Sequence, residues 1–247
     1  MSIPKAIFCW SGGKDSSYAL HKILSEKQFE VKYLLTTVNE KFKRISMHGV
    51  RQELLHLQAS SLGIPLLKVF VSEGTNTEYE QQMEKTLLDV KAEGISHVIF
   101  GDIFLEDLRA YREKNLAKVD MKAVFPLWKI NTRWLIEDFV DKGFKTITCC
   151  INDGYLSEDW AGREIDKLFI QELPDTVDPC GENGEFHTFC FGGPIFNRKI
   201  DFTIGEKIYK PLIVETDSVC TSTSSTKGFW FCDLIPTDLI PTKEIEL

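Results

Sequence analysis

The fold of this chain is decided by one stretch near its start, Trp10-Ser11-Gly12-Gly13-Lys14-Asp15-Ser16-Ser17. The stretch lies between a short apolar run and a helical pattern, which is where open parallel sheets bind ligands beyond the carboxyl ends of their strands. Its two glycines allow the backbone to approach a phosphate closely, and free amides at the start of a helix favour anions. The serine hydroxyls and the Lys14 ammonium add further donors. We therefore predict a phosphate-binding loop, with a Gly-Gly turn capped by serine as the structural alternative.

Around this loop, the first 130 residues alternate short apolar runs with helical patterns, which predicts a parallel sheet with crossover helices. We predict strands at 6–10, 31–38, 66–71, 97–101 and 123–125, and helices at 15–26, 50–61, 76–93 and 106–117. The helix at 76–93 has the clearest apolar face, made by Tyr79, Met83, Leu87 and Val90. Thr75 and Glu78 form a capping-box pattern at its start.

The rest of the chain predicts a second, smaller unit. We predict a nucleotide-binding domain at 1–130, an α+β substrate domain at 131–225 and a tail at 226–247. A helix at 132–141 and a strand at 146–151 either extend the first sheet or begin the second domain. After Asp153, closely spaced Gly and Pro predict loops held against a scaffold. The Ser- and Thr-rich segment 216–226 is expected to be a mobile surface stretch, and residues 228–231 either dock or pair with another strand.

Composition narrows the class of protein. The 247 residues are 43% hydrophobic and 27% charged, as in soluble globular domains. No apolar run reaches the roughly 20 residues of a membrane span, and no targeting segment is evident, so we expect a cytoplasmic protein without membrane contact. The net charge of -8 makes broad nucleic-acid binding unlikely, although a local basic patch stays open. Seven cysteines without CxxC spacing indicate reduced thiols.

The loop is not a Walker loop, because it lacks the GxxxxGK[ST] spacing, and it is not GxGxxG. Asp15 also argues for a catalytic nucleotide site and against a purely structural turn. A carboxylate inside an anion site is repulsive unless a cation bridges it to the phosphates, and Mg²⁺ is the cation that suits oxygen ligands.

A second dense polar motif follows in the loop-rich region: Asp178-Pro179-Cys180-Gly181-Glu182-Asn183-Gly184-Glu185-Phe186-His187-Thr188. It packs acids, glycines, a thiol and an imidazole into eleven residues, which packing alone rarely requires. The structural alternative is a polar turn that enters a strand at Phe186.

The first motif resembles the SGGxDS loop of the ATP pyrophosphatases, and the pair of motifs resembles the diphthine-ammonia ligase family, which carries a GEGGEYET-type motif. Similar residues recur at 101–103, 125–128 and 192–196, so the resemblance covers most of the chain. It implies an α/β fold: a parallel-sheet, adenine nucleotide alpha hydrolase-like (HUP or Rossmann-like) domain with a smaller C-terminal α+β domain. Asn183 and the run Phe186-His187-Thr188 depart from the ligase pattern and look like the bacterial branch.

The resemblance implies chemistry. Members of this family adenylate a carboxylate on a modified histidine of elongation factor 2, release pyrophosphate, and let ammonia displace AMP. The expected acceptor is a small-molecule or protein-borne carboxylate, with ammonia or an amine as nitrogen donor. Bacteria lack that modification, so if the source is bacterial the acceptor is something else, such as a small carboxylic acid or a corrinoid-related compound. The expected cofactors are ATP and Mg²⁺. A homodimer is possible.

By the same resemblance, residues take separate roles. The predicted ATP contacts are Ser11, Gly12, Gly13, Lys14, Asp15, Ser16, Ser17, Thr37 and Gly101. The predicted Mg²⁺ ligands are Asp15 and Asp102, although an Asp after a strand is often only a helix cap. The predicted catalytic groups are Lys14, Asp15, Glu182, Glu185 and His187, the last three serving the incoming amine. His48, Arg109 and Arg112 are weighed equally as contacts and as surface residues.

Two other functions stay open at this point. A tRNA thiolase uses the same kind of loop and would carry sulfur on Cys180, but the chain has no CxxC pair and an acidic balance. A non-catalytic ATP-binding module would have little use for the second motif.

Overall fold

The first domain is built on a mostly parallel sheet. The computed structural model describes residues 3–45, 48–71, 76–212 and 226–237, with the side chains of 76–78 left out. The strands are β1 (Lys5–Cys9), β2 (Glu30–Asn39), β3 (Arg44–Ile45), β4 (Leu66–Val71), β5 (His97–Ile99) and β6 (Lys122–Val124). Parallel pairing gives the order β4, β2, β1, β5, β6. The short β3 pairs antiparallel with the end of β2, at Val38 and Asn39.

The crossover helices are α1 (Lys14–Glu26), α2 (Gln52–Leu62), α3 (Asn76–Ala92) and α4 (Glu106–Lys118), and α5 (Thr132–Asp141) follows them. The predicted parallel α/β sheet is therefore confirmed, and each predicted strand and helix agrees with the structure to within two residues at either end. The strand β3 was not predicted. The capping-box residue Thr75 lies outside the described residues.

Helices cover both faces of this sheet, as the apolar pattern requires for buried parallel strands. In β1, Ala6 and Phe8 point into a core shared with α1, α2 and α5, while Ile7 points into a core shared with α3 and α4. Leu87 and Val90 of α3 are buried in that second core, which confirms the predicted apolar face. None of the helices in the described part of the chain is long and apolar enough to cross a membrane.

The second unit is an antiparallel sheet. Its strands are β7 (Lys145–Asn152), β8 (Phe186–Gly192), β9 (Phe202–Pro211) and β10 (Gly228–Pro236), in the order β8, β7, β10, β9. A 3₁₀ turn (Glu158–Trp160) and the short helix α6 (Lys167–Glu172) lie between β7 and β8. The strand predicted at 146–151 thus begins a second sheet rather than extending the first.

One expectation for this region needs correction. The segments 186–192 and 202–211 form strands, so the expectation of loops after Asp153 is wrong there; β8 is apolar and mostly buried, while β9 is exposed along most of its length. Of the two alternatives for residues 228–231, pairing is confirmed: residues 228–236 form β10, which pairs with both β7 and β9. Residues 216–225 lie outside the described residues. The domain boundaries stay a prediction.

The two sheets meet at the phosphate loop. The Cys190 amide of β8 donates to the Gly12 carbonyl at 2.8 Å, so the second sheet is hydrogen-bonded directly to the loop. On the other side, Asp233 of β10 accepts from Arg51 at 2.7 Å and pairs with Arg44 at 3.0 Å. These contacts fix the walls of a cleft that lies at the carboxyl ends of the parallel strands.

Candidate active site

The loop after β1 turns sharply into α1. Gly12 has a φ of +78°, which glycine adopts without steric cost, and Gly13 precedes the first helical residue, Lys14. The Ser16 and Ser17 hydroxyls both donate to the Gly13 carbonyl, at 3.0 and 2.9 Å. The predicted phosphate loop is therefore a tight strand-to-helix turn whose amides are held in place from inside.

A buried glutamine on α2, Gln58, holds this turn in place, although the sequence did not single it out. The Oε1 atom of Gln58 on α2 accepts from the Trp10 indole at 2.8 Å, and its Nε2 atom donates to the carbonyls of Gly12 and Cys190 at 2.9 and 2.6 Å. A Cβ added at Gly12 would lie 2.6 Å from Gln58 Oε1. Gln58 is fully buried, so it joins the loop, the first domain and β8 in one network.

The second motif contacts the phosphate loop through Thr188. The Thr188 hydroxyl accepts from the Lys14 amide at 3.0 Å, and a Cβ at Gly13 would lie 3.0 Å from the Thr188 carbonyl oxygen. The two motifs that the sequence analysis paired are thus in contact, 174 residues apart in the chain. The glycine at 13 is required by this close approach.

Lys14, which is buried, and Asp15, which is partly exposed, form an ion pair at the head of α1, with Nζ 2.7 Å from Oδ2. Burial alone would lower the pKa of Lys14, but Asp15, Cys180 and Glu182 together raise it above its ordinary value. Burial raises the pKa of Asp15, and Lys14 opposes that rise. At neutral pH Lys14 is therefore a fixed cation at the phosphate loop.

A cleft of about 950 Å³ opens beyond these groups, large enough for a nucleotide and a second substrate. Both domains contribute to its wall, and the predicted site residues found there are Ser11, Lys14, Asp15, Ser16, Thr37, Gly101, Asp102, Glu182 and His187. His48 and Arg112 line it as well.

Glu182 faces this cleft from the second motif. Its Oε2 atom accepts from the Ile103 amide at 3.3 Å, which fixes the side chain beside the end of β5. Burial, together with the charges of Asp15 and Asp102, raises the pKa of Glu182 to about 8, although Lys14 opposes the rise. A carboxyl group with that pKa exchanges a proton near physiological pH.

Glu185 lies elsewhere. It is fully buried, and its carboxylate accepts three hydrogen bonds from its own loop: from the Asp178 amide at 3.0 Å, the Asn183 amide at 2.8 Å and the Asn183 side chain at 3.0 Å. The structure therefore does not bring Glu185 to the cleft wall with Glu182 and His187, contrary to the expected direct contact with the amine. The position of Glu185 is that of a residue that orders the motif.

Asp178 also orders this motif, a role that the sequence analysis did not assign. Its carboxylate accepts from the amides of Cys180 and Glu182, at 2.8 and 3.3 Å, and from the Thr132 hydroxyl at 2.7 Å. An Asp that accepts from an amide two residues on is a common turn signal, so this contact is recognisable from sequence in principle.

Two imidazoles stand against the phosphate loop. The rings of His48 and His187 have centroids 4.8 Å apart. Burial is the main cause that lowers their pKa values, to about 4 for His48 and about 3 for His187, and Lys14 contributes to both shifts. Both rings are therefore neutral at physiological pH. The structure favours His48 as a cleft residue over a solvated loop histidine.

Asp102, the second predicted metal ligand, is paired with a cation. The Arg112 Nε atom lies 2.6 Å from Asp102 Oδ2, and the guanidinium stacks over the Phe100 ring at 4.3 Å. Among the described residues, no group of three His, Cys, Asp or Glu side chains is arranged to hold a metal ion. Mg²⁺ at nucleotide sites usually takes one or two carboxylates and completes its shell with phosphates and water. Asp15, paired with Lys14, and Asp102, paired with Arg112, therefore stay predicted ligands of an ion that would arrive with ATP.

The end of β2 supplies another part of the cleft wall, around the predicted ATP contact Thr37. The Thr37 hydroxyl is hydrogen-bonded to the Tyr79 phenol, whereas the buried Thr36 hydroxyl has no hydrogen-bond partner in the described part of the chain. Thr36, which the sequence did not distinguish from its neighbour, thus offers a free polar group to a ligand. Gly101 is needed for packing, because a Cβ there would lie 3.0 Å from the Ser16 amide.

Two further candidates are accounted for by structure. The Cys180 thiol is buried and donates to the Thr132 carbonyl at 3.3 Å, and burial raises its pKa well above the ordinary value. It is therefore a protonated thiol, unlike the thiolate that sulfur transfer requires. Arg109 stacks on Phe125 and Trp128 and pairs with Glu113 at 2.8 Å, so it covers a helix face.

Comparison with known proteins matches this architecture. A family model described as the diphthamide synthase N-terminal domain matches residues 4–123, and one described as the diphthamide synthase C-terminal domain matches residues 131–215. The chain is similar to the diphthine–ammonia ligase of Danio rerio, with 24% identity over 77% of this chain and 83% of that protein. The Bos taurus ligase is 23% identical over 77% of this chain and 79% of its own length. The Schizosaccharomyces pombe ligase is 24% identical over 95% of this chain and 42% of its own length.

Proposed function

Since this chain belongs to the diphthamide synthase (diphthine–ammonia ligase) family, we propose that it adenylates a carboxylate with ATP, releases pyrophosphate, and forms an amide with ammonia or an amine. One observation carries the proposal: the phosphate loop and the second motif, which come from different domains, face one cleft. A nucleotide half-reaction and an acceptor half-reaction need such a shared cleft, because the activated carboxylate must meet the amine before water does.

In the first half-reaction, a carboxylate oxygen attacks the α phosphorus of ATP, and the bond to the β-phosphate oxygen breaks. Both partners are anionic, so charge must be neutralised in the transition state. Lys14 is the fixed cation for this purpose, and the amides at the start of α1 add donors. Asp15 and Asp102 are the residues that would hold Mg²⁺, which neutralises phosphate charge when bound.

In the second half-reaction, the amine attacks the acyl carbon and AMP leaves. Glu182 is the group best suited to take the amine proton, because it reaches the cleft and its pKa of about 8 lets it be ionised in part at neutral pH. Glu185 positions Glu182 by ordering the loop that carries it.

The acceptor and the compartment belong to the proposal too. The relatives are named for diphthine and ammonia, and at 22–24% identity we carry over the reaction class and leave the acceptor as a small-molecule or protein-borne carboxylate. Use of ATP is consistent with a cytoplasmic enzyme.

The test is ATP–pyrophosphate exchange measured across a panel of carboxylates with and without ammonia. We expect exchange to depend on one class of acid, and the products with ammonia to be AMP, pyrophosphate and an amide. Lys14→Ala and Asp15→Ala should each slow adenylation by about 10² or more, the scale of losing one preorganised charge. ADP as the main product with a productive acid would refute the proposal.

A further inference from the structure

The imidazole pair of His48 and His187 has no role in the reaction as described so far. His48 lies in the turn between β3 and α2, and His187 is the second residue of β8, so the pair joins the two domains over the phosphate loop. Both rings line the cleft.

His48 sits directly on the loop. A Cβ built at Gly13 would lie 3.1 Å from His48 Cε1, so the ring occupies the space that a side chain at position 13 would need. Gly13 is the residue that caps α1, and the free amides of a helix start are where phosphate oxygens bind. The pair therefore borders the place where the terminal phosphates are expected.

The hydrogen bonds show which nitrogen atoms are available. His48 Nδ1 lies 3.1 Å from the Thr188 carbonyl oxygen. A carbonyl can only accept, so in the neutral ring Nδ1 carries the hydrogen and Nε2 keeps its lone pair. His187 Nε2 has no hydrogen-bond partner among the described residues. Each neutral ring has one nitrogen that carries no proton, and in His48 this atom is Nε2.

The loop that carries His48 is held in place from the second domain. Arg44 and Arg51, on either side of it, both pair with Asp233 of β10. Arg44 also donates to the Gly49 carbonyl at 2.7 Å, and a Cβ at Gly49 would lie 2.6 Å from the Phe231 ring. The position of His48 is therefore built in before a ligand arrives.

Burial and the charges near the pair together explain its neutral state. Burial lowers the pKa of both rings most, Lys14 on α1 lowers both further, and His48 adds to the shift of His187. Asp233, whose carboxylate anchors this loop, is already paired with two guanidinium groups. Partly buried imidazoles beside one cation stay neutral until an anion enters.

We propose that His48 and His187 form a proton-accepting wall of the pyrophosphate site, which takes up one proton from solvent when the terminal phosphates occupy the loop. The proton goes to one of the two free ring nitrogens, and the imidazolium then pairs with a phosphate oxygen. Only one proton is taken up, because two cations at this separation repel each other. This inference rests on the proposed function, since it concerns the leaving group of that reaction.

The test is a pH titration of the histidines by NMR, using protein labelled with ¹⁵N in its histidine rings, with and without inorganic pyrophosphate and Mg²⁺. His48→Gln and His187→Gln assign the two signals. Without pyrophosphate, both rings should stay neutral above pH 5. With pyrophosphate, one of them should titrate above pH 6. His97 is the internal control: it begins β5, at the end of the sheet away from the cleft, so its signal should not move.

Affinity gives a second measurement. Uptake of one proton makes pyrophosphate bind more tightly as the pH is lowered, by up to about tenfold for each pH unit between the pKa of the bound pair and that of the free pair, relative to a variant that lacks the pair. Protonation of pyrophosphate itself contributes equally to wild type and to His48→Gln/His187→Gln, so the difference in slope isolates the pair. His97→Gln should keep the wild-type slope.

The outcomes separate the two proposals. Pyrophosphate binding without any change in the titration of His48 or His187, or with equal slopes in wild type and double variant, would overturn this inference and leave the proposed function intact. No binding of pyrophosphate or ATP by the wild type would overturn both.

Discussion

Glu185→Gln tests whether Glu185 orders the second motif or reacts. In the wild type, Oε1 accepts from the Asp178 amide and the Asn183 side chain, and Oε2 accepts from the Asn183 amide. Glutamine has one oxygen and one NH₂ group in the same shape. Whichever way the amide turns, its NH₂ group faces at least one N–H of the loop.

The cost follows from these contacts. The smaller loss places NH₂ against the Asn183 amide and keeps the other two hydrogen bonds, now without the carboxylate charge. A hydrogen bond to a charged group contributes about 1.5–3 kcal/mol, and the carboxylate that is replaced is fully buried, whereas Asn183 is exposed and its amide can bind water instead. We therefore expect the free energy of unfolding to fall by about 1.5–3 kcal/mol.

Urea denaturation measures this loss, and ATP affinity and amide formation are measured on the same protein. Glu164→Gln is the matched control, because the Glu164 side chain is half-exposed and its carboxylate pairs with Lys145 at the surface, so its change should stay within about 0.5 kcal/mol. We expect Glu185→Gln to lower amide formation through disorder of Glu182. Wild-type stability together with lost amide formation would show that Glu185 acts chemically, and would refute our reasoning.

Two other predictions concern Gln58 and Glu182. Gln58→Leu should lower the free energy of unfolding by about 3 kcal/mol, because three buried hydrogen bonds of about 1 kcal/mol each are lost, and it should also weaken ATP binding. Urea denaturation measures the first effect and calorimetry the second, and an unchanged ATP affinity would contradict the prediction. For Glu182, a folded-state pKa of about 8 lies above the unfolded value, so its contribution to stability is complete below about pH 4.5 and is lost as pH rises towards 8. Glu182→Gln should remove that decline, and parallel pH profiles of stability for variant and wild type would contradict the assignment.

The sequence predicted the first domain well because its signals are local. Apolar runs and helical periodicity between β1 and α5 each span a few turns or one strand, and the loop at 11–16 stands where a strand passes into a helix. The second sheet was harder to predict. The strand β9 is exposed along most of its length, and β10 pairs with β7, which lies much earlier in the chain. Nothing in a local window marks such a partner.

The candidate site shows the same difference between local and long-range signals. Residues in motifs were found, and Lys14, Asp15, Glu182 and His187 all lie in the cleft wall. Gln58 was missed because one glutamine on a helix looks like a surface residue until its three partners are known. Glu185 was assigned to the cleft because a spacing of three does not say which of two carboxylates turns inward.

The pairing of Asp233 with Arg44 and Arg51 has a consequence for biosynthesis. Chains fold from the amino terminus as they are made, so the first sheet can form on the ribosome well before β10 exists. The loop that carries His48, however, is held by an ion pair with Asp233, which is translated almost two hundred residues later. A nascent first domain would therefore possess its phosphate loop yet lack the finished wall around it, and the order of translation itself would delay completion of the cleft until β10 is in place.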